Sequence, residues 1–156
     1  MLIDKTEVSL QLDAPLLEMM WKRQEIENYL LVPDAVLRFC EREIRRVRKI
    51  SDDERNLDLF SPGDLRKAKE LLQRKVLEEV FENPLTDTPF LMGTKVSDVV
   101  LEPFFREFYA ALGEYNVMPK SNLYRLASVT TQAEIHPEVC EKLNAIATLL
   151  AKDTTL

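Results

Sequence analysis

Only three glycines, Gly63, Gly93 and Gly113, occur among the 156 residues of this chain. Glycine supplies the positive-φ positions that tight hairpins demand, so a sequence this poor in it is ill suited to a barrel or sandwich of many strands. The apolar residues point the same way, recurring at three- and four-residue intervals over long stretches. The expectation is a mainly α fold of about four to five helices packed in one domain, with one or two short N-terminal strands.

The helices are marked by prolines at their starts and apolar faces along their lengths. Pro33 followed by Asp34 suits a first turn, where a missing N–H costs nothing and a negative charge meets the positive end of the helix. Val36, Cys40, Ile44 and Val47 then share one face, with Leu37 beside them, predicting a helix over 33–49. SDDERNLD, from Ser51 to Asp58, reads as a polar connection. Ser61, Pro62 and Asp64 open a second helix whose face is Leu65, Ala68, Leu72, Val76 and Val80, ending near Asn83 and Pro84. Residues 85–94 favour a loop, and Pro103 leaves the start of the next helix open. Its face is an aromatic stripe of Phe104, Phe105, Phe108 and Tyr109 with Leu112, stopping at Gly113. A short helix is expected from Ser121 to Ser128, and a last one from Pro137 with Val139, Leu143, Ile146 and Leu150 on one side. Before all of these, the alternation in 7–12 and the run 16–20 are read as short strands. The domain division that follows is an N-terminal arm over 1–32, a helical domain over 33–152 and a frayed tail over 153–156.

Several function classes are disfavoured by composition. A net charge of −6 opposes phosphate backbones as a whole, although a local basic face is compatible with it. The five basic residues Arg42, Arg45, Arg46, Arg48 and Lys49 are interrupted by Glu41 and Glu43, as on an ordinary solvated helix face. No apolar run reaches the roughly 18 residues that span a bilayer, and the first ten residues carry Asp4 and Glu7 in place of a secretory leader. Cys40 and Cys140 lie apart in apolar helical patterns and read as buried free thiols, in keeping with a cytoplasmic protein. There is no Gly-rich phosphate loop, hence no nucleotide site, and the lone His136 precludes multi-histidine metal centres.

The segment LEMMWKRQEIENYLLVPD, Leu17 to Asp34, carries the chemistry. Residues two apart share a face on a strand and diverge by about 200° on a helix. Glu25 and Glu27 therefore converge only if the backbone is extended or turning. Converged, they form a hard oxygen site of the kind Mg²⁺ or Mn²⁺ accepts. On a helix they are surface charges, with Ile26, Tyr29 and Leu30 forming the buried side.

KRQEIENYLLVPDAVL, preceded by LEMMW, resembles a segment late in the Toprim domain of OLD-family (overcoming lysogenization defect) nucleases and related ATPase-linked Toprim proteins. The likeness is strongest from Leu17 to Leu37. A looser one covers MPKSNLYRLAS and IHPEVCEKLNAI, within Met118 to Ile146, and is similar to the closing helices of such proteins. The resemblance implies a two-metal nuclease centre in which acidic groups hold divalent cations. Glu25 and Glu27 match its late acidic pair as metal ligands, and Lys120 matches a basic catalytic residue that offsets charge on the transferred phosphate. The family's earlier acidic elements belong upstream of LEMMW, where only about 16 residues stand, and its ATPase half is absent. The resemblance thus implies the C-terminal part of a metal-dependent DNA nuclease, inactive alone. Its partner would be an ATPase/Toprim polypeptide or a homo-oligomer, and DNA would bind only to the complete nuclease. The alternative is a noncatalytic helical interaction or oligomerisation module, using a face of the helices at 62–82 or 103–112.

Overall fold

The fold is mainly α. The computed structural model describes residues 2–3, 19–53, 59 and 61–153, with only the backbone of Leu2, Ile3, Lys152 and Asp153. The expected strand at 7–12 lies outside the described residues. Met19–Met20 forms a two-residue strand, β2, paired in parallel with β1 at Leu2–Ile3.

Helix α1 runs from Pro33 to Arg48, with Pro33 at its first position, Asp34 in the first turn and Arg45, Arg46 and Arg48 in the last. Both charge biases complement the helix dipole. It ends at Lys49, which is left-handed at φ 56°, and the Lys49 and Ile50 amides reach back to the Arg46 and Arg45 carbonyls. Val36, Phe39, Cys40 and Ile44 are fully buried along one face.

The single helix expected over 62–82 is instead two. Gly63, at φ 74°, precedes α2 (Asp64–Lys75), and an extended Val76 separates α2 from α3 (Glu78–Glu82). The break re-aims the chain, and both Val76 and Val80 remain buried. Within the expected loop at 85–94, Pro89–Gly93 forms a short helix, α4, begun by the Thr88 hydroxyl accepting from the Leu91 amide. Thr-Pro is an ordinary helix opening, but five residues are too few to show a periodic face.

Pro103 is the second residue of α5 (Glu102–Leu112), which continues from a π-turn at Ser97–Leu101. A proline inside a helix donates no bond and its ring crowds the carbonyl four residues back. The wider turn ahead of Pro103, in which the Glu102 amide bonds the Ser97 carbonyl, lets the helix continue. Helix α5 ends at Gly113, at φ 74°. After Pro119 the chain makes a 3₁₀ helix, Lys120–Val129, burying Leu123 and Leu126 at the three-residue interval that this geometry favours. The last helix, α6, spans Pro137–Asp153, so Asp153 of the expected frayed tail is helical and 154–156 lie outside the described residues.

The core lies where α1 meets α2 and the Lys120–Val129 helix, with α5 packed against α2. The aromatic stripe of α5 is buried in it, Phe105 meeting Phe39 edge-on at 5.6 Å between ring centres. The stripe is thus filled by packing within the chain, while Arg106, Glu107 and Ala110 lie exposed on the other side of α5. Cys40 is buried as expected; Cys140 is exposed, because α6 turns it away from the body. Within the expected N-terminal arm, Trp21, Tyr29, Leu31 and Val32 are buried. No helix among the described residues is long and apolar enough to cross a membrane.

Candidate functional site at Glu25, Asp98 and Lys120

From β2 the chain bends through 22–25, with Glu25 itself extended at φ −147° and ψ 165°, then closes into a 3₁₀ turn at Ile26–Tyr29. It is fixed in place by two buried polar side chains. Arg23 is 1% exposed; its guanidinium pairs with Asp87 at 3.0 Å and donates to the carbonyls of Asn28, Pro84 and Thr86. Asn28 is fully buried and spans to the stretch after α4, donating to the carbonyls of Leu91 (2.6 Å) and Thr94 (2.8 Å) and accepting from the Val96 amide (3.1 Å). A buried carboxamide satisfied on both ends fixes the register between segments far apart in sequence.

That register sets the Ser97 amide against Glu25. The Glu25 carboxylate is 4% exposed and its Oε1 accepts from Ser97 N–H at 2.7 Å. Its Oε2 lies 3.7 Å from Lys120 Nζ, at the start of the 3₁₀ helix after Pro119. Lys120 also donates to Asp98 Oδ1 at 2.8 Å. Glu27 sits half-buried on the 3₁₀ turn and adds its negative field at Lys120. The hydrogen bond it donates to Asp98, followed by the charges of Glu25 and Glu27, holds the Lys120 ammonium above its ordinary pKa against partial burial. In return, Lys120 holds the exposed Asp98 carboxyl below its own.

Of the residues singled out from sequence, Glu25 and Lys120 are thus brought together across ninety-five positions. Glu27 lies within their electrostatic reach. The backbone at Glu25 and Glu27 is neither a continuous strand nor an α-helix but an extended residue running into a tight turn. Asp98 and the Ser97 amide were missed by sequence reasoning. Both belong to a π-turn, whose local pattern looks like the start of any helix.

A second polar cluster joins the same segment to the first turns of α6. The Tyr29 hydroxyl donates to Glu138, and Glu138 also accepts from the Lys22 amide at 3.0 Å and pairs with Lys142 at 3.1 Å. His136 is buried: Nδ1 accepts from the Glu138 amide at 3.1 Å, so the ring proton lies on Nε2, which faces Asp87 at 3.1 Å. Burial, followed by the Arg23 charge, lowers the His136 pKa against the pull of Asp87 and Glu138. These bonds tie the segment after β2 to the start of α6.

The basic run on α1 is committed to intramolecular pairs more than its solvated reading implied. Arg45 pairs with Glu41, Arg46 with the buried Glu43 and Arg48 with Asp64.

The acidic groups at Glu25 are too few for a whole divalent-cation site. Hard cations take six or more oxygens, whereas no group of three or more histidine, cysteine, aspartate or glutamate side chains among the described residues is arranged to hold a metal. One Glu25 oxygen is already satisfied by Ser97, and an ammonium stands where positive charge would enter. No family model matches this chain, and comparison with curated proteins and with solved structures gives no match.

Proposed function

We propose that this chain is the helical C-terminal part of an OLD/Toprim-type metal-dependent DNA nuclease, supplying one edge of a catalytic centre and inactive alone. The observation that supports this is the meeting of Glu25 with Lys120: two residues matched separately to such a centre approach to 3.7 Å. Glu25 and Glu27 would offer carboxylate oxygens to Mg²⁺ or Mn²⁺, with the remaining ligands coming from another polypeptide. Lys120 would hold its positive charge beside the phosphate oxygens of bound DNA. Asp98 keeps that ammonium oriented until a phosphate replaces it. When bound, the metal would supply an activated water for phosphodiester hydrolysis.

The test is a titration with Mn²⁺ followed by NMR. Saturable broadening centred on the Ser97 amide and the Glu25 and Glu27 side chains is expected, and its loss in Glu25→Ala/Glu27→Ala. Lys120→Met should tighten this binding several-fold, because an ammonium at that distance repels a cation. The isolated chain should leave plasmid DNA uncut in Mg²⁺ or Mn²⁺. No site-specific broadening, or robust cutting by the chain alone, would overturn the reading.

A noncatalytic interaction module is the second reading, and the exposed apolar residues of α6 favour it. It predicts no site-specific response to Mn²⁺.

A further inference from the structure

Helix α1 carries five arginines, and four of them are held by carboxylates: Arg38 by Glu134, Arg45 by Glu41, Arg46 by Glu43 and Arg48 by Asp64. Arg42 is the exception. It is exposed, its guanidinium lies over the Phe39 ring at 5.0 Å from the centre, and it reaches no carboxylate among the described residues. A second guanidinium, from the half-buried Arg125 of the Lys120–Val129 helix, lies 5.6 Å from the centre of the same ring and likewise meets no carboxylate there. Phe39 is fully buried, and the two cations form part of its cover.

Stacking on a ring uses the flat face of a guanidinium and leaves its N–H donors free in the plane. The one bond these donors make among the described residues is long, from Arg42 to the Ser128 hydroxyl at 3.4 Å, and that hydroxyl is itself fixed by donating to the Arg125 carbonyl at 2.7 Å. Two cations are thus ordered on one ring before any ligand arrives, which lowers the entropy that binding must offset. The glutamates on either side of Arg42, Glu41 and Glu43, are engaged by Arg45 and Arg46. Paired guanidiniums with open donors suit the phosphates of a polyanion. Next to Arg125 stands Tyr124, 68% exposed and without a ring or hydrogen-bond partner among the described residues. An exposed ring beside such cations offers an unpaired base a surface to stack on, and every base has a face that fits it. An acidic peptide would leave that ring unused, and a duplex keeps its bases stacked on one another.

We infer that Arg42, Arg125 and Tyr124 form a binding site for a single strand of nucleic acid, the guanidiniums taking its phosphates and the tyrosine ring stacking on a base. The inference goes beyond the proposed function: it involves neither Glu25, Glu27 nor a metal, and it lets the isolated chain hold a strand that it does not cut. With a net charge of −6 the molecule as a whole gives no long-range attraction, so these local contacts carry the affinity.

The test is the fluorescence anisotropy of a labelled oligothymidylate titrated with the full chain at several salt concentrations. Two phosphate contacts on a single strand predict that log K falls against log salt with a slope of about −1.4. Arg42→Gln and Arg125→Gln should each weaken binding about tenfold and bring the slope to about −0.7. Tyr124→Ala should weaken it about tenfold at unchanged slope, and should make no difference to an abasic strand of the same charge. Should a glutamine variant fail to fold, the parent decides by NMR: the strand should shift the Nε–H signals of Arg42 and Arg125 and the ring signals of Tyr124. No binding, no shift at these three residues, or a slope unchanged in both folded arginine variants overturns the inference. So does equal affinity for a duplex, for polyglutamate or for inorganic phosphate. Strand binding should survive Glu25→Gln/Glu27→Gln. A missing Mn²⁺ response with intact strand binding therefore removes the nuclease reading alone, and a Mn²⁺ response without strand binding removes this inference alone.

Discussion

Asn28→Ala is the substitution that best isolates what holds the candidate site together. The side chain is fully buried and bridges the Glu25 turn to the stretch leading into Ser97. Truncation removes a partner from three backbone groups. The Leu91 carbonyl keeps a second donor, the Gln24 amide, which leaves the Thr94 carbonyl and the Val96 amide as the exposed cost. Each buried group left unsatisfied costs about 1–3 kcal/mol, so the expected loss is about 2–6 kcal/mol, a large share of the roughly 5–15 kcal/mol that stabilises a domain. With a urea m-value of about 2 kcal/mol/M, the midpoint should fall by roughly 1–3 M. Asn28→Asp sharpens the test. It keeps the acceptor for Val96 but sets a negative oxygen against two carbonyls, so its pKa in the folded state should rise above that of an unfolded aspartate. Protonation restores one donor, and the stability is therefore present at low pH and lost as pH climbs through the raised pKa. Relative to Asn28→Ala, the Asp variant should gain stability on acidification. A midpoint shift under about 0.3 M at unchanged m, or no pH-dependent difference between the two variants, would refute the bridging role.

Three other outcomes follow from the same structure. Tyr109→Phe removes the 2.7 Å bond to the buried Glu43, and because bonds to charged groups are the stronger kind the melt should report a loss of about 2 kcal/mol; an unchanged melting temperature would contradict it. Glu138 is pushed up by burial but pulled further down by the Tyr29 hydroxyl, Lys142 and the Lys22 amide, so its stabilising contribution is complete above the ordinary glutamate pKa and disappears as pH falls through the lowered value. Urea melts across pH 2–6 should show a shallower acid limb in Glu138→Gln than in the parent, and parallel limbs would exclude the coupling. An aromatic disulfide reagent should titrate one thiol per native chain, Cys140, with Cys40 reacting only on unfolding because burial raises its pKa well above the ordinary thiol value; two fast thiols would contradict the burial of Cys40.

Helices whose ends are written in proline, glycine and charge were legible in the sequence. Helix α1 begins at Pro33, α5 stops at Gly113 and the aromatic stripe of α5 faces the core. The break at Val76 was not legible, since both sides of it carry apolar residues at helical spacing and only tertiary packing selects an extended residue there. The same limit applied to α6. Its apolar spacing suggested a core-facing helix, yet periodicity reports that a face needs cover without saying which molecule supplies it. At the site, Glu25 and Lys120 were marked by resemblance. Asp98 and the Ser97 amide were not, because nothing near them in sequence records that Asn28 carries the Ser97 stretch to Glu25.

The π-turn at Ser97–Leu101 separates two demands on one continuous rod. A wide turn of this kind amounts to a single residue inserted into an α-helix. Val99, at 57% exposed, lies within it, so excising Val99 would shorten the loop of backbone without rotating the phenylalanines of α5 out of the interior. The rod would regularise, and the groups offered to Glu25 and Lys120 would be withdrawn or re-aimed. The wide turn therefore sets where the Ser97 amide and Asp98 stand relative to the aromatic face of α5.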